Sequence, residues 1–187
     1  MLADLVGPWS GQLLRHRPRT ATRSVLDDTY LGLVDDNRWS ARGVRAWYFA
    51  SDIGVVTAEY GRHIGTELPE DHEERLERAV FRVEVALVRV LDLRDADVVA
   101  AMGAAPLADW ILDLAATRAA VGHLLAQVPG LQGLIVPSVA FLDRPERFNV
   151  VVHRDAVDPA AVFGAPEHAL DITLDATGRT LPIRIVM

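Results

Sequence analysis

The stretch Gly130-Leu131-Gln132-Gly133-Leu134-Ile135-Val136-Pro137-Ser138 decides the fold, because its short apolar run between turn residues is typical of a buried strand. We therefore predict a strand over residues 134–136. The chain then leaves the sheet at Pro137, so Ser138 is expected just after the strand. A serine there is either a turn residue or a hydroxyl that faces a ligand. No Gly-x-Ser-x-Gly motif surrounds it, which excludes an esterase-type nucleophile.

The segment before this strand carries helix signals. Apolar residues recur there at steps of three and four, which predicts one amphipathic helix or two, ended near Pro129-Gly130. These residues are Leu107, Trp110, Ile111, Leu114, Val121, Leu124 and Leu125. Further upstream, residues 95–102 predict a short helix that ends at Gly103. Residues 52–63 predict another helix, with Ser51-Asp52 as its N-cap.

Strand signals lie on both sides of these helices. Residues 81–87 alternate between apolar and polar side chains, which indicates a half-buried strand, and residues 88–93 continue as a second extended piece. Shorter strands are predicted at residues 13–14, 46–50 and 148–153, and a terminal hairpin at 170–174 and 179–186. Residues 18–45 show no clean periodicity and are expected to form loops, with room for one short helix.

The order of these elements predicts the fold class. Strands and helices alternate irregularly, without a βαβαβ rhythm, which favours an α+β protein with a mixed sheet over a doubly wound one. A chain of 187 residues fits one domain that spans residues 1–187.

Composition excludes several kinds of chemistry. The chain has no cysteine, which rules out disulfides, thiolate metal sites and a cysteine nucleophile. All 19 basic residues are arginine, so Schiff-base chemistry on a lysine is also excluded. The net charge of −7 argues against direct nucleic-acid binding, although four arginines cluster locally, at Arg15, Arg17, Arg19 and Arg23.

Several site and targeting motifs are missing from the sequence. The histidines lack metal-ligand spacing, and no phosphate-binding or dinucleotide-binding glycine motif occurs, so we expect neither a metal nor a bound cofactor. The N-terminus does not read as a signal peptide, and no run of about 18 apolar residues occurs. We therefore expect a cytoplasmic protein that does not bind membranes.

Four residues, Arg38, Tyr48, Glu59 and Ser138, are the candidates for a site. A guanidinium can grip phosphate oxygens with two hydrogen bonds, and an aromatic ring can stack on a flat ligand. A carboxylate lowers the energy of positive charge that develops on a sugar. Together with a hydroxyl, these groups suit a phosphorylated ligand that bears a ring.

Each candidate also has a plain structural explanation. Arg38 follows Asp35-Asp36 and could simply be neutralised by them, and Tyr48 lies in a predicted buried strand where aromatic core residues are common. Glu59 has Arg62 and His63 three and four positions later, the spacing of a surface ion pair worth about 0.3–0.5 kcal/mol.

The four residues, with their order and spacing, resemble the RES-domain family, named for an Arg, a Glu and a Ser. The resemblance covers about residues 11–155. Further segments that match are Leu14-Arg15-His16-Arg17, Val90-Leu91-Asp92-Leu93 and Phe148-Asn149-Val150-Val151. The chain departs from the family around Arg38, where Asp35-Asp36-Asn37 replaces a glycine-rich lead-in and Ser40-Ala41-Arg42 replaces an Asn and a Pro pair.

The resemblance implies a fold and a function. Characterised members are toxins of bacterial type II toxin–antitoxin pairs, with a fold related to ADP-ribosyltransferases, that attack NAD+. It implies that Glu59 and Arg38 act in catalysis and that Arg38, Tyr48 and Ser138 bind NAD+. The family's opening strand also ends in an arginine, which either Arg15 or Arg17 would supply as a further NAD+-binding residue. NAD+ would be consumed as a substrate.

The acceptor and the partners stay open at this stage. Water would make the enzyme a glycohydrolase, inorganic phosphate a phosphorylase, and a protein side chain an ADP-ribosyltransferase. A catalytically idle binding module is the alternative from another class, favoured by the altered loop after Arg38. The resemblance further implies a helix-turn-helix antitoxin as a partner.

Overall fold

The computed structural model describes residues 1–33, 38–40, 43–67, 75–175 and 184–186. Within this part, the strands are β1 (Gly7–Pro18), β2 (Ala46–Ala50), β3 (Arg75–Asp92), β4 (Gly133–Pro137), β5 (Phe148–His153), β6 (Glu167–Asp175) and β7 (Arg184–Val186). The α-helices are α1 (Ile53–Glu67), α2 (Ala96–Ala101), α3 (Leu107–Trp110), α4 (Leu114–Gln127) and α5 (Pro159–Val162), and short 3-10 helices cover Leu2–Leu5 and Arg154–Ala156.

The seven described strands form one mixed sheet in the order β1-β2-β5-β4-β3-β6-β7. The β3–β4 pair is parallel, and the other named pairs are antiparallel. Because β1 also pairs with β3, the pairings from β1 through β2, β5, β4 and β3 return to β1. The sheet is therefore folded back on itself, and the α+β prediction is confirmed.

The longest strand, β3, allows this closure. Its residues 78–90 pair with β1, while its two ends pair with β6 and β4 on the other side. The two extended pieces predicted at 81–87 and 88–93 are thus one strand. The first strand is also longer than the predicted 13–14. Gly7, Gly11 and the arginines obscure its periodicity, but pairing with β3 satisfies its backbone throughout.

The inner face of the folded sheet holds one apolar cluster. Val83, Val85 and Leu87 alternate inward along β3, as the sequence predicted, and they are at most 2% exposed. They pack with residues from the other strands and α5, among them Leu13, Trp47, Phe49, Val90, Ile135, Val150, Val152 and Val162.

The outer face of β2 carries two helical layers. Ala46 and Tyr48 pack with the cluster that includes α2–α4, whereas Ala50 packs with α1 through Val55 and Val56. Residues 46, 48 and 50 share one face of the strand. The first two are covered by the α2–α4 cluster and the third by α1. Side chains near Tyr48 therefore lie between the two layers.

Most predicted elements are confirmed, with shifted ends. The helix after Ser51-Asp52 is α1, and the helix ended by Gly103 is α2. The helical segment from 107 is two helices, because the Asp113 carboxylate caps α4 by accepting from the backbone N–H groups of Ala115 and Ala116. Strands β6 and β7 form the predicted hairpin pair, whose turn lies outside the described residues. The sequence reasoning missed α5.

Bilayer-spanning helices need both length and apolar character. Among the helices in the described ranges, none combines the two.

Candidate active site

Helix α1 positions Glu59 over the sheet. The Asp52 carboxylate accepts a hydrogen bond from the Val55 N–H (3.1 Å), which caps the first turn. Val55 is fully buried against the sheet, and Glu59 follows it by four residues, so both side chains lie on the same face of the helix. The glutamate is half-buried as a result, with its carboxylate directed toward the strands.

The Glu59 carboxylate meets two side chains from the sheet. The Ser138 hydroxyl donates to Glu59 Oε1 at 2.6 Å, and the Asn149 amide nitrogen donates to the same oxygen at 3.4 Å. Three elements, α1, the end of β4 and β5, therefore converge on one carboxylate oxygen. Neither hydrogen bond uses Oε2.

Ser138 is held firmly at the end of β4. Its backbone N–H donates to the Arg147 carbonyl (3.2 Å), and its carbonyl accepts from the Phe141 N–H (2.9 Å). The side chain is 0% exposed. Its backbone starts a turn, as predicted, and its hydroxyl bonds to Glu59. Contact between this hydroxyl and a ligand stays a prediction.

Tyr48 lies on the same sheet face as Asn149. Its direct neighbour across β5 is Val151, and Asn149 is the diagonal neighbour two positions away. Diagonal residues on one face are about 7–8 Å apart, within reach of an aromatic side chain. The Tyr48 ring packs against the α2–α4 cluster, and its hydroxyl donates to Ser40 Oγ (3.0 Å) and accepts from the Trp39 N–H (3.2 Å).

Arg38 directly precedes Trp39 and Ser40, the two residues that bond to the Tyr48 hydroxyl. Its Nη1 donates to the Ile111 carbonyl at 2.7 Å, which ties residues 38–40 to the end of α3. The ring of Trp39 meets that of Trp110 edge-on, with 6.4 Å between centroids, and fixes the same segment. The unusual residues 35–37 and 41–42, and the predicted neutralisation of Arg38 by Asp35-Asp36, lie outside the described residues.

Arg15 and Arg17 lie on the opposite face from Glu59, since they share the strand face of the inner-core residue Leu13, whereas Leu14 packs with α1. Arg15 donates to the backbone carbonyls of Val25 (2.8 Å) and Tyr48 (2.9 Å), behind the Tyr48 side chain. Burial lowers the pKa of Arg15 to about 10. The Arg17 guanidinium stacks over Phe81 at 5.1 Å. Their binding role stays a prediction, and the observed contacts of Arg15 are structural.

Sequence reasoning missed Asn149 as a site residue. The valines of segment 148–151 indicate a buried strand, which favours a purely structural interpretation. The sequence did offer one signal for a site residue, because Asn149 is the single amide in that apolar run. A polar side chain on a buried strand needs a hydrogen-bond partner. The surface ion pair predicted for Glu59 involves Arg62 and His63, whose side chains lie outside the described part.

Two cavities lie elsewhere on the protein. A cavity of about 330 Å³ is lined in part by Arg45, Leu131 and His153, and one of about 580 Å³ by Trp9, Val88 and Gln132. Neither is lined by Glu59 or Ser138. The candidate site is instead at the Glu59 carboxylate, where a candidate reacting group lies within hydrogen-bond reach of two positioning side chains.

The fold and the site define a class: an α+β protein with a folded mixed sheet, in which a helix carboxylate is hydrogen-bonded from two strand ends. A family comparison then gives the identity of the domain. Residues 14–175 match the RES domain model, so the chain belongs to the RES domain family.

A solved structure has a similar fold. It is the M. tuberculosis MbcT–MbcA toxin–antitoxin complex, one chain of which superposes with a TM-score of 0.61 at 20% sequence identity. The match covers 94% of this chain and 92% of that chain. At this identity the likeness establishes the fold. No curated protein sequence matches the chain significantly.

Proposed function

We propose that this protein is the toxin of a type II toxin–antitoxin pair and that it degrades NAD+ by cleaving the nicotinamide–ribose bond. The hydrogen bond between Ser138 and Glu59 carries the proposal, because it holds a carboxylate on the sheet between two helical layers. Membership in the RES domain family supports it, because characterised members of that family attack NAD+.

Glu59 suits the chemistry of this cleavage. As the bond from ribose C1 to the nicotinamide nitrogen breaks, its electron pair leaves with nicotinamide and positive charge develops on the sugar. A fixed carboxylate near the sugar stabilises that charge more in the transition state than in the ground state. The hydrogen bonds from Ser138 and Asn149 to Oε1 leave Oε2 to face the sugar.

Tyr48 and Arg38 would bind the two ends of the substrate. The Tyr48 ring lies beside Asn149 on the same face, so it can line the nicotinamide side. We assign Arg38 to the diphosphate, because a guanidinium grips phosphate oxygens with paired, charge-assisted hydrogen bonds. Arg15, which donates to the Tyr48 carbonyl, would contribute positive potential from behind β2.

The acceptor decides the reaction. Water yields ADP-ribose and a proton, whereas inorganic phosphate yields ADP-ribose 1″-phosphate; nicotinamide leaves in both. A protein nucleophile would instead be ADP-ribosylated. We favour consumption of free NAD+, and the experiment below separates these outcomes.

An antitoxin is the partner that this function requires. The similar solved structure is a toxin–antitoxin complex, which supports a protein partner that inhibits this chain. A helix-turn-helix antitoxin remains our expectation for its type. Growth arrest on expression of the toxin should disappear when the cognate antitoxin is co-expressed.

One observation favours a catalytically idle binding module instead. Arg38, the proposed phosphate ligand, donates to the Ile111 carbonyl, and such a bond could make it purely structural. An idle module would leave NAD+ intact while still binding its protein partner.

The direct test is nicotinamide release from NAD+ by the purified protein, with and without inorganic phosphate. We expect release by the wild type and none above background by Glu59→Gln. Dependence on phosphate identifies a phosphorylase, and release without phosphate a hydrolase. Label transfer from NAD+ to protein identifies an ADP-ribosyltransferase. Equal, negligible release and label transfer by both proteins would favour the idle module.

A further inference from the structure

Asn149 occupies a rigid position in the sheet. Its strand, β5, lies between β2 and β4, and Asn149 is paired with Ala50 on one side and Val136 on the other. Pairing of β5 with a strand on each side holds the Asn149 Cα in place, and residues on such strands hold geometry better than residues on loops do. Any contact made by this side chain is therefore anchored in the centre of the fold.

The contact it makes is with the candidate catalytic carboxylate. Asn149 Nδ2 donates to Glu59 Oε1 at 3.4 Å, and Ser138 Oγ donates to the same atom at 2.6 Å. A glutamate on a helix normally samples several rotamers. Two donors from two different strand ends restrict that sampling, and they select which oxygen stays available for a ligand.

We propose that Asn149 is a positioning residue for Glu59, which together with Ser138 fixes the carboxylate so that Oε2 faces the substrate sugar. This inference rests on the proposed function, because it takes Glu59 to be the residue that stabilises the sugar cation. It adds a requirement to that function: the carboxylate must be oriented, and β5 supplies part of the orientation.

An amide is well suited to this task. It donates a hydrogen bond without carrying charge, so it orients the anion and leaves the negative charge of Glu59 intact for the sugar. Leucine has a similar shape and lacks the donor. Aspartate also has a similar shape, but when ionised it sets two like charges side by side, which is unfavourable.

The experiment measures nicotinamide release by Asn149→Leu and Asn149→Asp over a range of pH. For the leucine variant we expect kcat to fall about tenfold or more, the effect of losing a hydrogen bond to a charged group, with KM within about twofold. For the aspartate variant we expect low activity at pH 7.5 that rises, relative to the wild type, as the pH falls. The introduced carboxyl, once protonated, would then donate to Glu59 again.

A matched control separates this role from a structural one. Gln12 also donates from an amide to a glutamate, Glu84 Oε1, at 2.7 Å on the exposed face of the sheet. Gln12→Leu should leave kcat and its pH dependence unchanged, and melting temperatures should show that all variants are folded.

The outcomes distinguish the two proposals. Wild-type turnover together with a leucine variant whose kcat is unchanged would overturn the role of Asn149 alone. An aspartate variant with the pH dependence of the wild type would do the same. Absence of nicotinamide release by the wild type would overturn the proposed function and, with it, this inference.

Discussion

Ser138 Oγ and Glu59 Oε1 are 2.6 Å apart, although the two residues are separated by 79 positions in the chain. The donor is fully buried at the end of β4, and the acceptor lies on a half-buried turn of α1. A short hydrogen bond to an ionised oxygen is stronger than one between neutral groups. It couples the position of α1 to the sheet and holds the candidate catalytic group in place.

Replacing Glu59 by glutamine should abolish most of the activity. Glutamine keeps the shape of the side chain but removes the charge that stabilises the sugar cation. Losing one preorganised electrostatic group costs about 100- to 1,000-fold in kcat. Nicotinamide release measures this loss. Glu84→Gln, at an exposed position on β3, is the matched control and should keep full activity; equal losses in both variants would contradict the role of Glu59.

Ser138→Ala should show that Ser138 works through Glu59. Removing the hydroxyl frees the carboxylate, so we expect kcat to fall about tenfold or more, as for loss of a hydrogen bond to a charged group. In the Glu59→Gln background the same substitution should have little further effect, because the group it orients has already lost its charge. A double-mutant cycle on kcat tests this coupling, and additive effects would refute it.

The sequence predicted most of the fold, because its apolar patterns are local. The period of two in β3, the buried run in β4 and the Ser51-Asp52 cap of α1 each follow from neighbouring residues. The extent of β1 could not be predicted in this way. Its hydrogen bonds come from β3, about 60 residues or more away, and its own pattern is interrupted by glycine.

Part of the site was also predictable, from family resemblance and not from local patterns. Glu59 and Ser138 were singled out by resemblance to a family, and the structure brings these two together. The register that places Asn149 beside them depends on how β5 aligns with β2 and β4, which a single sequence does not reveal. Arg38 was assigned to phosphate, but no local pattern could predict its bond to Ile111.

Tyr48→Phe should loosen residues 38–40 without removing the ring. The hydroxyl donates to Ser40 Oγ and accepts from the Trp39 N–H, and losing such bonds costs about 0.5–1.5 kcal/mol each. Faster amide hydrogen exchange at Trp39 would report the loss. If residues 38–40 help to hold the substrate, KM should rise more than kcat falls.

Tyr30→Phe is the control for that experiment. Tyr30 is 62% exposed, and residues 39 and 40 bond to the hydroxyl of Tyr48 instead. It should change neither the exchange at Trp39 nor KM. Unchanged Trp39 exchange in Tyr48→Phe would show that the hydroxyl does not order the loop.

His153 should make the protein less stable in acid. The ring is 4% exposed, and burial lowers its pKa below the ordinary value of 6.5, because the charged ring would lose its hydration. The unfolded chain then takes up a proton at a higher pH than the folded protein does. The stability that the neutral ring contributes is therefore complete above pH 6.5 and is lost as the pH falls below that value, with a slope of at most about 1.4 kcal/mol per pH unit.

Urea unfolding at pH 7.5 and pH 5.5 measures this contribution by comparing the wild type with His153→Gln. The glutamine cannot be protonated, so the variant should lose less unfolding free energy between the two pH values, while the carboxylates titrate alike in both proteins. His168→Gln is the control, because the His168 side chain is 52% exposed and pairs with Asp171 at the surface. An equal loss of unfolding free energy in all three proteins would contradict this prediction. It would show that burial of the neutral His153 ring is not the cause of the acid sensitivity.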